Sequence, residues 1–299
     1  MKIAILVSPR NVSSARSIMM YLESVGLDTL GLKINERWRD MSRLAMTNLF
    51  FGTTHLLCPL DKRDEGEAWL SYFVGFARGS NTAISIFAVE PDYEPSPWIA
   101  DMECFSSLEG AGKYYISEGV EWDIKEGRRL AKATLLELGI SWHAESLAQC
   151  VLEGDTKAVV LFIDSGFLPD IRDKNGVPML CLAARSRHKS IVELLLDRGA
   201  TIDAQSEDRG YSALMDAVQQ GDESLLDMLL ARGAQTDLQS KDGQTALVLA
   251  VGRSDAAIAK SLLAHGANPD IADKLGLSAR KYAKLFHNAA IDEVFSAFN

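Results

Sequence analysis

Two glycine series, each recurring every 33 or 34 residues, run in step through the second half of this chain: Gly166, Gly199, Gly233 and Gly266, and Gly176, Gly210, Gly243 and Gly276. A period of that size holds one helix pair and its turn, which is too small to bury its own core, so such a segment gains stability only by stacking unit on unit. Between the glycines the pattern repeats. A short polar turn leads to a helix that starts at a small hydroxyl (Ser212, Thr245, Ser278), with a leucine two residues on (Leu214, Leu247) and an alanine beyond (Ala217, Ala250). A second helix follows in Ile191–Leu196, Leu225–Leu230 and Ile258–Leu263. The hydroxyls suit N-caps, because their oxygens accept from otherwise unpaired helical N–H groups. The glycine after each second helix suits the left-handed position that ends a helix.

Asp173-Lys174-Asn175-Gly176, followed by Leu180-Cys181-Leu182-Ala183-Ala184, resembles the ankyrin repeat, whose pattern is Asp-x-x-Gly-x-Thr-Pro-Leu-His-x-Ala-Ala. The family histidine is replaced by Cys181, Met215 and Val248, and its Thr-Pro by Pro178-Met179, Ser212-Ala213 and Thr245-Ala246, while the period is kept. The resemblance covers about residues 144–299 and implies an all-α ankyrin-repeat solenoid over 136–299, with units near 144–172, 173–206, 207–239, 240–272 and 273–299. It also implies recognition of a protein partner by the exposed turn tips and the concave helix face. The candidates there are Arg185, Arg187, His188, Glu207, Asp208, Arg209, Gln219, Gln220, Lys241, Asp242 and Arg253.

The first half has a different grammar. Residues 2–8 read as a buried strand, Ser14–Val25 as a helix stopped by Gly26, Asp28–Ile34 as strand and Trp38–Phe50 as helix. His55–Leu60 is strand, Ala68–Ala77 helix, Thr82–Val89 strand and Glu103–Ser107 a weaker strand, with Trp122–Ile140 a helix joining the domains. Alternation of this kind implies a parallel sheet covered by helices on both faces. No Gly-x-Gly-x-x-Gly or Gly-x-x-x-x-Gly-Lys occurs, so dinucleotide and P-loop folds lack their phosphate cradle. Ser8-Pro9 ends the first strand where a response-regulator receiver would carry acidic metal ligands.

Ile5-Leu6-Val7-Ser8, Tyr21–Gly26, His55–Leu60 and Trp69–Ala77 are similar to the corresponding segments of TIR-like domains, a fold related to nucleoside deoxyribosyltransferases. The resemblance implies an α/β, flavodoxin-like parallel-sheet domain over 1–135. Enzymatic members of those families break the bond between a nucleobase and its ribose with a glutamate four residues after the aromatic position matched by Trp69, and here that position is Phe73. A phenyl ring neither attacks nor stabilises an oxocarbenium-like sugar, so the resemblance implies a domain without catalysis. Asp64, Glu65 and Glu67 lie just upstream and would have to substitute for it if the enzyme alternative holds, but they read more simply as the acidic first turn of a helix. Ser8, Pro9, Arg10, Trp69 and Phe73 would line any remaining ligand pocket.

Composition narrows the partners. With 31 Lys and Arg against 41 Asp and Glu, a formal charge of −10 and no basic run, the chain is unsuited to nucleic acid or to an anionic membrane. The apolar run at the start is too short for a secretion signal and nothing approaches a membrane span, so a cytoplasmic protein is expected. Cys58, Cys104, Cys150 and Cys181 stand far apart and read as buried free thiols; neither they nor the five scattered histidines suggest a metal or a cofactor. Trp142-His143 reads as packing at the domain joint. The leading expectation is an intracellular adaptor in signalling, with partner binding by the array and self-association through the N-terminal domain. The rival is a hydrolase or transferase acting on the N-glycosidic bond of NAD or nucleosides, regulated by the repeats.

Overall fold

A computed structural model describes residues 1–34, 45, 47–48, 50, 52–287 and 289–298. The chain divides into two compact units, Met1–Glu126 and Gly127–Asn299.

In the first unit five strands form one parallel sheet: β1 (Lys2–Val7), β2 (Asp28–Lys33), β3 (His55–Leu60), β4 (Ala83–Ala88) and β5 (Glu103–Phe105), in the order β2-β1-β3-β4-β5. Around the sheet lie α1 (Val12–Ser24), α2 (Ala68–Gly79) and α3 (Leu108–Glu137), the last beginning well before the Trp122 expected from sequence and running past the division of the units. Successive strand side chains point to opposite faces, and the strands are apolar on both. Ile3, Ile5, Leu57 and Phe87 pack with Ala15, Ile18 and Leu22 of α1 and with Ala111 and Tyr115 of α3. Ala4, Leu6, Leu56, Cys58 and Ile86 pack with Trp69, Leu70, Phe73, Val74 and Ala77 of α2. The helix expected over Trp38–Phe50 falls mostly outside the described residues. Cys104 corrects the expectation of four buried thiols: it lies exposed on β5, the edge strand, whereas Cys58, Cys150 and Cys181 are buried.

In the second unit, among the described residues, helices follow in five pairs: α4 (Ala144–Glu153) and α5 (Thr156–Asp164), α6 (Met179–Arg185) and α7 (Lys189–Asp197), α8 (Ala213–Gln220) and α9 (Glu223–Ala231), α10 (Ala246–Gly252) and α11 (Ala256–Ala264), α12 (Ala279–Phe286) and α13 (Ala289–Ala297). Ser212, Thr245 and Ser278 are N-caps, their hydroxyl oxygens accepting from the N–H groups of Met215, Val248 and Lys281 at 3.3–3.4 Å. Pro178 takes that place before α6 and offers no side-chain cap. Gly166, Gly199, Gly233 and Gly266 all have φ between +84° and +105°, as a residue just past a helix end requires. One apolar core runs through every pair, from Leu135 at the end of α3 to Phe295 in α13. Leu180, Leu214 and Leu247 are its repeated inward residues, each at most 1% exposed.

Candidate protein-binding surface

Each unit projects a finger ahead of its first helix, and the second glycine series sits in these fingers. Gly176, Gly210, Gly243 and Gly276 have φ of +69° to +77°, in the left-handed region that favours glycine. For the first three there is a second reason. The N–H groups of Glu207, Lys241 and Lys274 donate to the carbonyls of Gly176, Arg209 and Asp242 in the preceding finger at 2.9–3.1 Å. A Cβ on Gly210 would stand 2.7 Å from the Lys241 nitrogen, and one on Gly243 would stand 3.0 Å from that of Lys274.

A side-chain ladder reinforces this contact. Arg172 Nη1 donates to the carbonyls of Gly176 (2.7 Å) and Gln205 (2.9 Å). One unit on, Gln205 Nε2 donates to Gly210 (2.7 Å) and Gln239 (2.8 Å), and Gln239 Nε2 to Gly243 (2.8 Å) and Ala272 (3.1 Å). A second ladder runs where each second helix gives way to the next finger. Asp170 accepts from the N–H of Thr201 at 2.7 Å, Asp203 from Gln235 at 2.9 Å and Asp237 from Asn268 at 2.8 Å. Backbone groups of successive units are thus paired through side chains, part-buried at Arg172 and Gly210 and exposed elsewhere. Neither ladder was foreseen from the sequence, although Asp170, Asp203, Asp237 and Asp270 keep the same period as the glycines.

Of the eleven candidates expected to meet a partner, Gln219 and Gln220 are half-buried and the other nine fall into two sets. Arg187 donates to the Gln220 carbonyl, Arg253 Nη1 to that of Gln219 at 2.7 Å, and His188 Nε2 lies 3.0 Å from that of Leu152, so these side chains tie neighbouring units together. Arg185 bridges units as well. Its Nε donates to Asp216 Oδ1 at 2.9 Å and its two terminal nitrogens donate to the Asp208 carboxylate at 2.7 and 3.0 Å. Glu207, Arg209, Lys241 and Asp242 form the other set, exposed at successive finger tips. Arg209 lies over the Tyr211 ring, its guanidinium carbon 5.6 Å from the centroid.

Sequence reasoning missed Asp216. It occupies the place of Leu182 and Leu249 in the neighbouring units, is 1% exposed, and its Oδ2 is buried without a hydrogen-bond partner. Burial outweighs the attraction of Arg185 and pushes its carboxyl up to about 6. The Arg185 guanidinium, bidentate on Asp208, holds that carboxyl well below the usual range.

Ankyrin repeats (3 copies) match residues 147–240 and 214–292. Over 292 residues the chain is 32% identical to an ankyrin repeat-containing protein of Treponema pallidum (strain Nichols), covering 97% of this chain and 98% of that protein. The chain belongs to the ankyrin-repeat family. Membership supports a protein-interaction role, and the likeness to the Treponema protein extends beyond the ankyrin array through the sheet-bearing unit as well.

Outside the ankyrin array, the sheet order reverses between β1 and β3, where α/β folds hold ligands at the carboxyl ends of their strands. Asn11 closes this point: its Nδ2 donates to the Pro59 carbonyl at 2.8 Å and its Oδ1 accepts from the Ser8 N–H at 2.7 Å. Ser8 is buried, the Pro9 loop is exposed, and Arg10 pairs with Glu67 at 3.3 Å. Trp69 and Phe73 of α2 lie in the core, at 6% and 2% exposure. Asp64 and Glu65 lie in a separate 3-10 turn (Asp64–Gly66) and Glu67 precedes Ala68, which corrects their placement in the first turn of a helix. Asp64 is buried and accepts from the Asp61 N–H, and Glu65 accepts from Tyr93 Oη at 2.7 Å and from the N–H and hydroxyl of Ser96. Glu67, with extended backbone (φ −83°, ψ 128°), separates this turn from α2.

Among the described residues no group of three His, Cys, Asp or Glu could hold a metal ion, and no helix is long and apolar enough to cross a membrane.

Proposed function

We propose that this chain is a cytoplasmic protein–protein interaction adaptor in signal transduction. In that role residues 136–299 select a protein partner and residues 1–135 act as a TIR-like module without catalysis. The observation that carries the proposal is the finger row: Glu207, Arg209, Lys241 and Asp242 stay exposed on fingers whose backbones are bonded to one another. A backbone already fixed loses little further freedom on binding, so only the side chains remain to be ordered, which favours affinity. The sheet order β2-β1-β3-β4-β5 is that of flavodoxin-like doubly wound folds and is consistent with a TIR-like module. Phe73 in the core, and Asp64, Glu65 and Glu67 each engaged elsewhere, support the absence of glycosidic-bond cleavage. Ile116, Val120 and Ile124, four residues apart on α3 and 46–57% exposed, support self-association through the N-terminal unit.

The test pairs two kinds of variant. Arg209→Ala with Lys241→Ala should leave the melting curve unchanged and weaken capture of the partner recovered by cross-linking to the full chain. Leu214→Ala, a core truncation, should cost about 2–5 kcal/mol. If the tip variant captures that partner as well as the parent does, the binding face is elsewhere. Incubation with NAD and with nucleosides should release no base; turnover that disappears in Glu65→Gln would instead establish an enzyme.

A further inference from the structure

The aspartate ladder of the array has an open first rung. In the second, third and fourth units the N–H two residues after the helix-ending glycine is bonded to an aspartate of the unit before: Thr201 to Asp170, Gln235 to Asp203, Asn268 to Asp237. The equivalent residue of the first unit is Leu168, and among the described residues its N–H has no protein acceptor. Beside it is a cavity of about 370 Å³ lined by Trp142, Gly166, Phe167, Leu168, Asp170 and Ile171.

Gly166 and Asp170 of this lining keep the period of the array, but Phe167 and Leu168 are positions at which its first repeat departs from the others. Phe167 stands where Ala200, Ala234 and Ala267 follow the later glycines. Trp142 meets it edge-on with centroids 5.0 Å apart and is held by an Nε1 hydrogen bond to Ser165 Oγ at 2.8 Å. Leu168 remains 73% exposed and Trp142 43%. The one carboxylate in the lining, Asp170, is already turned to Thr201, accepting from its N–H and its hydroxyl, both at 2.7 Å. Cations border the site. Lys132 Nζ is 3.8 Å from the centre of the Trp142 ring, and Arg128 lies against Gly166, where a Cβ would be 3.4 Å from its Nε. Among the described residues neither cation is in an ion pair, in a chain with a formal charge of −10.

We infer that this cavity is a second protein-binding site, which takes an acidic peptide segment of a partner. A large apolar side chain of the segment fills the space between Trp142, Phe167, Leu168 and Ile171. A neighbouring Asp or Glu carboxylate accepts from the Leu168 N–H, between Arg128 and Lys132, as the aspartate of a preceding unit does elsewhere in the array. The apolar contact supplies affinity and the carboxylate fixes the direction of the segment. The site is distinct from the finger tips, so it can fail while the tip proposal holds, and the reverse.

Fluorescence anisotropy on the full chain tests it with labelled hexapeptides. The probe is Asp-Glu-Phe-Leu-Asp-Glu, with controls in which the acids become Asn and Gln, or Lys, or in which Phe-Leu becomes Ala-Ala. Only the first should bind in the micromolar range, and in a ¹⁵N-labelled sample it should move the Leu168 amide proton downfield. Leu168→Ser, at an exposed position, should weaken binding at least tenfold with an unchanged melting curve, and Arg128→Glu with Lys132→Glu should transfer preference to the lysine peptide. Equal binding of all four peptides, binding of none, or binding that survives both variants would overturn the inference. Octanoate that displaces the probe and alone shifts the Leu168 amide to the same extent would overturn it too, by making the ligand a small amphipathic acid.

Discussion

Asp216 is the residue where chemistry and packing oppose each other most directly. Its neighbours in phase are leucines, and its carboxyl is pushed up to about 6 because burial costs the charged form more than Arg185 returns. The folded chain therefore keeps this proton to a higher pH than the unfolded chain, whose carboxyl titrates near 3.9. Stability should fall as pH rises from about 4 to about 6 and stay level above, by up to about 3 kcal/mol for a shift of this size. Asp208, held low by Arg185, acts in the opposite sense and only below about 4, since its contribution is lost as it becomes protonated. Urea midpoints at intervals from pH 4 to 7 should show a decline in the parent that Asp216→Asn lacks; parallel profiles would mean that the proton is not held. The only mark of it in the sequence is an aspartate in the phase of Leu182 and Leu249, which does not by itself say whether the carboxyl is covered. Only the reach of Arg185 from the preceding unit shows that Asp216 is covered.

At the scale of the element, the fingers separate two roles of glycine that sequence alone merges. Gly210 and Gly276 keep the same period and nearly the same φ, +69° and +76°. A Cβ on Gly210 meets the backbone of Lys241, whereas one on Gly276 meets nothing within 4 Å. Gly276→Ala should cost only the left-handed strain, about 1–2 kcal/mol, and Gly210→Ala distinctly more, since backbone cannot move aside as a long side chain can. Equal losses in thermal unfolding would count against the close approach of the fingers. The helix pairs, their hydroxyl caps and the inward leucines were legible because each rests on local chemistry repeated in phase. So was the strand and helix alternation of the first unit, since strands apolar on both faces imply a covered parallel sheet. What escaped was long-range: Asn11 reaching Pro59, Arg172 and the two glutamines joining successive fingers, and Arg187 and Arg253, which look like contact residues until the neighbouring unit is in place. Cys104 escaped for the same reason, as nothing in a short apolar run says which strand will lie at an edge.

For the array as a whole, equivalent contacts imply interchangeable units. Deleting residues 240–272 joins Gln239 to Asp273 and brings the Lys274 N–H to the Arg209 carbonyl that Lys241 leaves. The shortened chain should fold with the same helicity per array residue by circular dichroism and melt cooperatively at a lower temperature; a broad transition with residual helix would show that the units are not equivalent. The unit at 273–299 departs from the ladder. Ala272 holds the place of Arg172, Gln205 and Gln239 but has nothing to donate, and the Gly276 carbonyl is taken instead by Lys281 Nζ from the same unit at 2.9 Å. Asp270 accepts from Arg280 Nε of the same stretch at 3.2 Å. A ladder that interior units join by the same contacts makes the number of repeats a matter of inheritance rather than geometry: a duplication or loss of one whole interior period in the gene leaves the units on either side bonded as before.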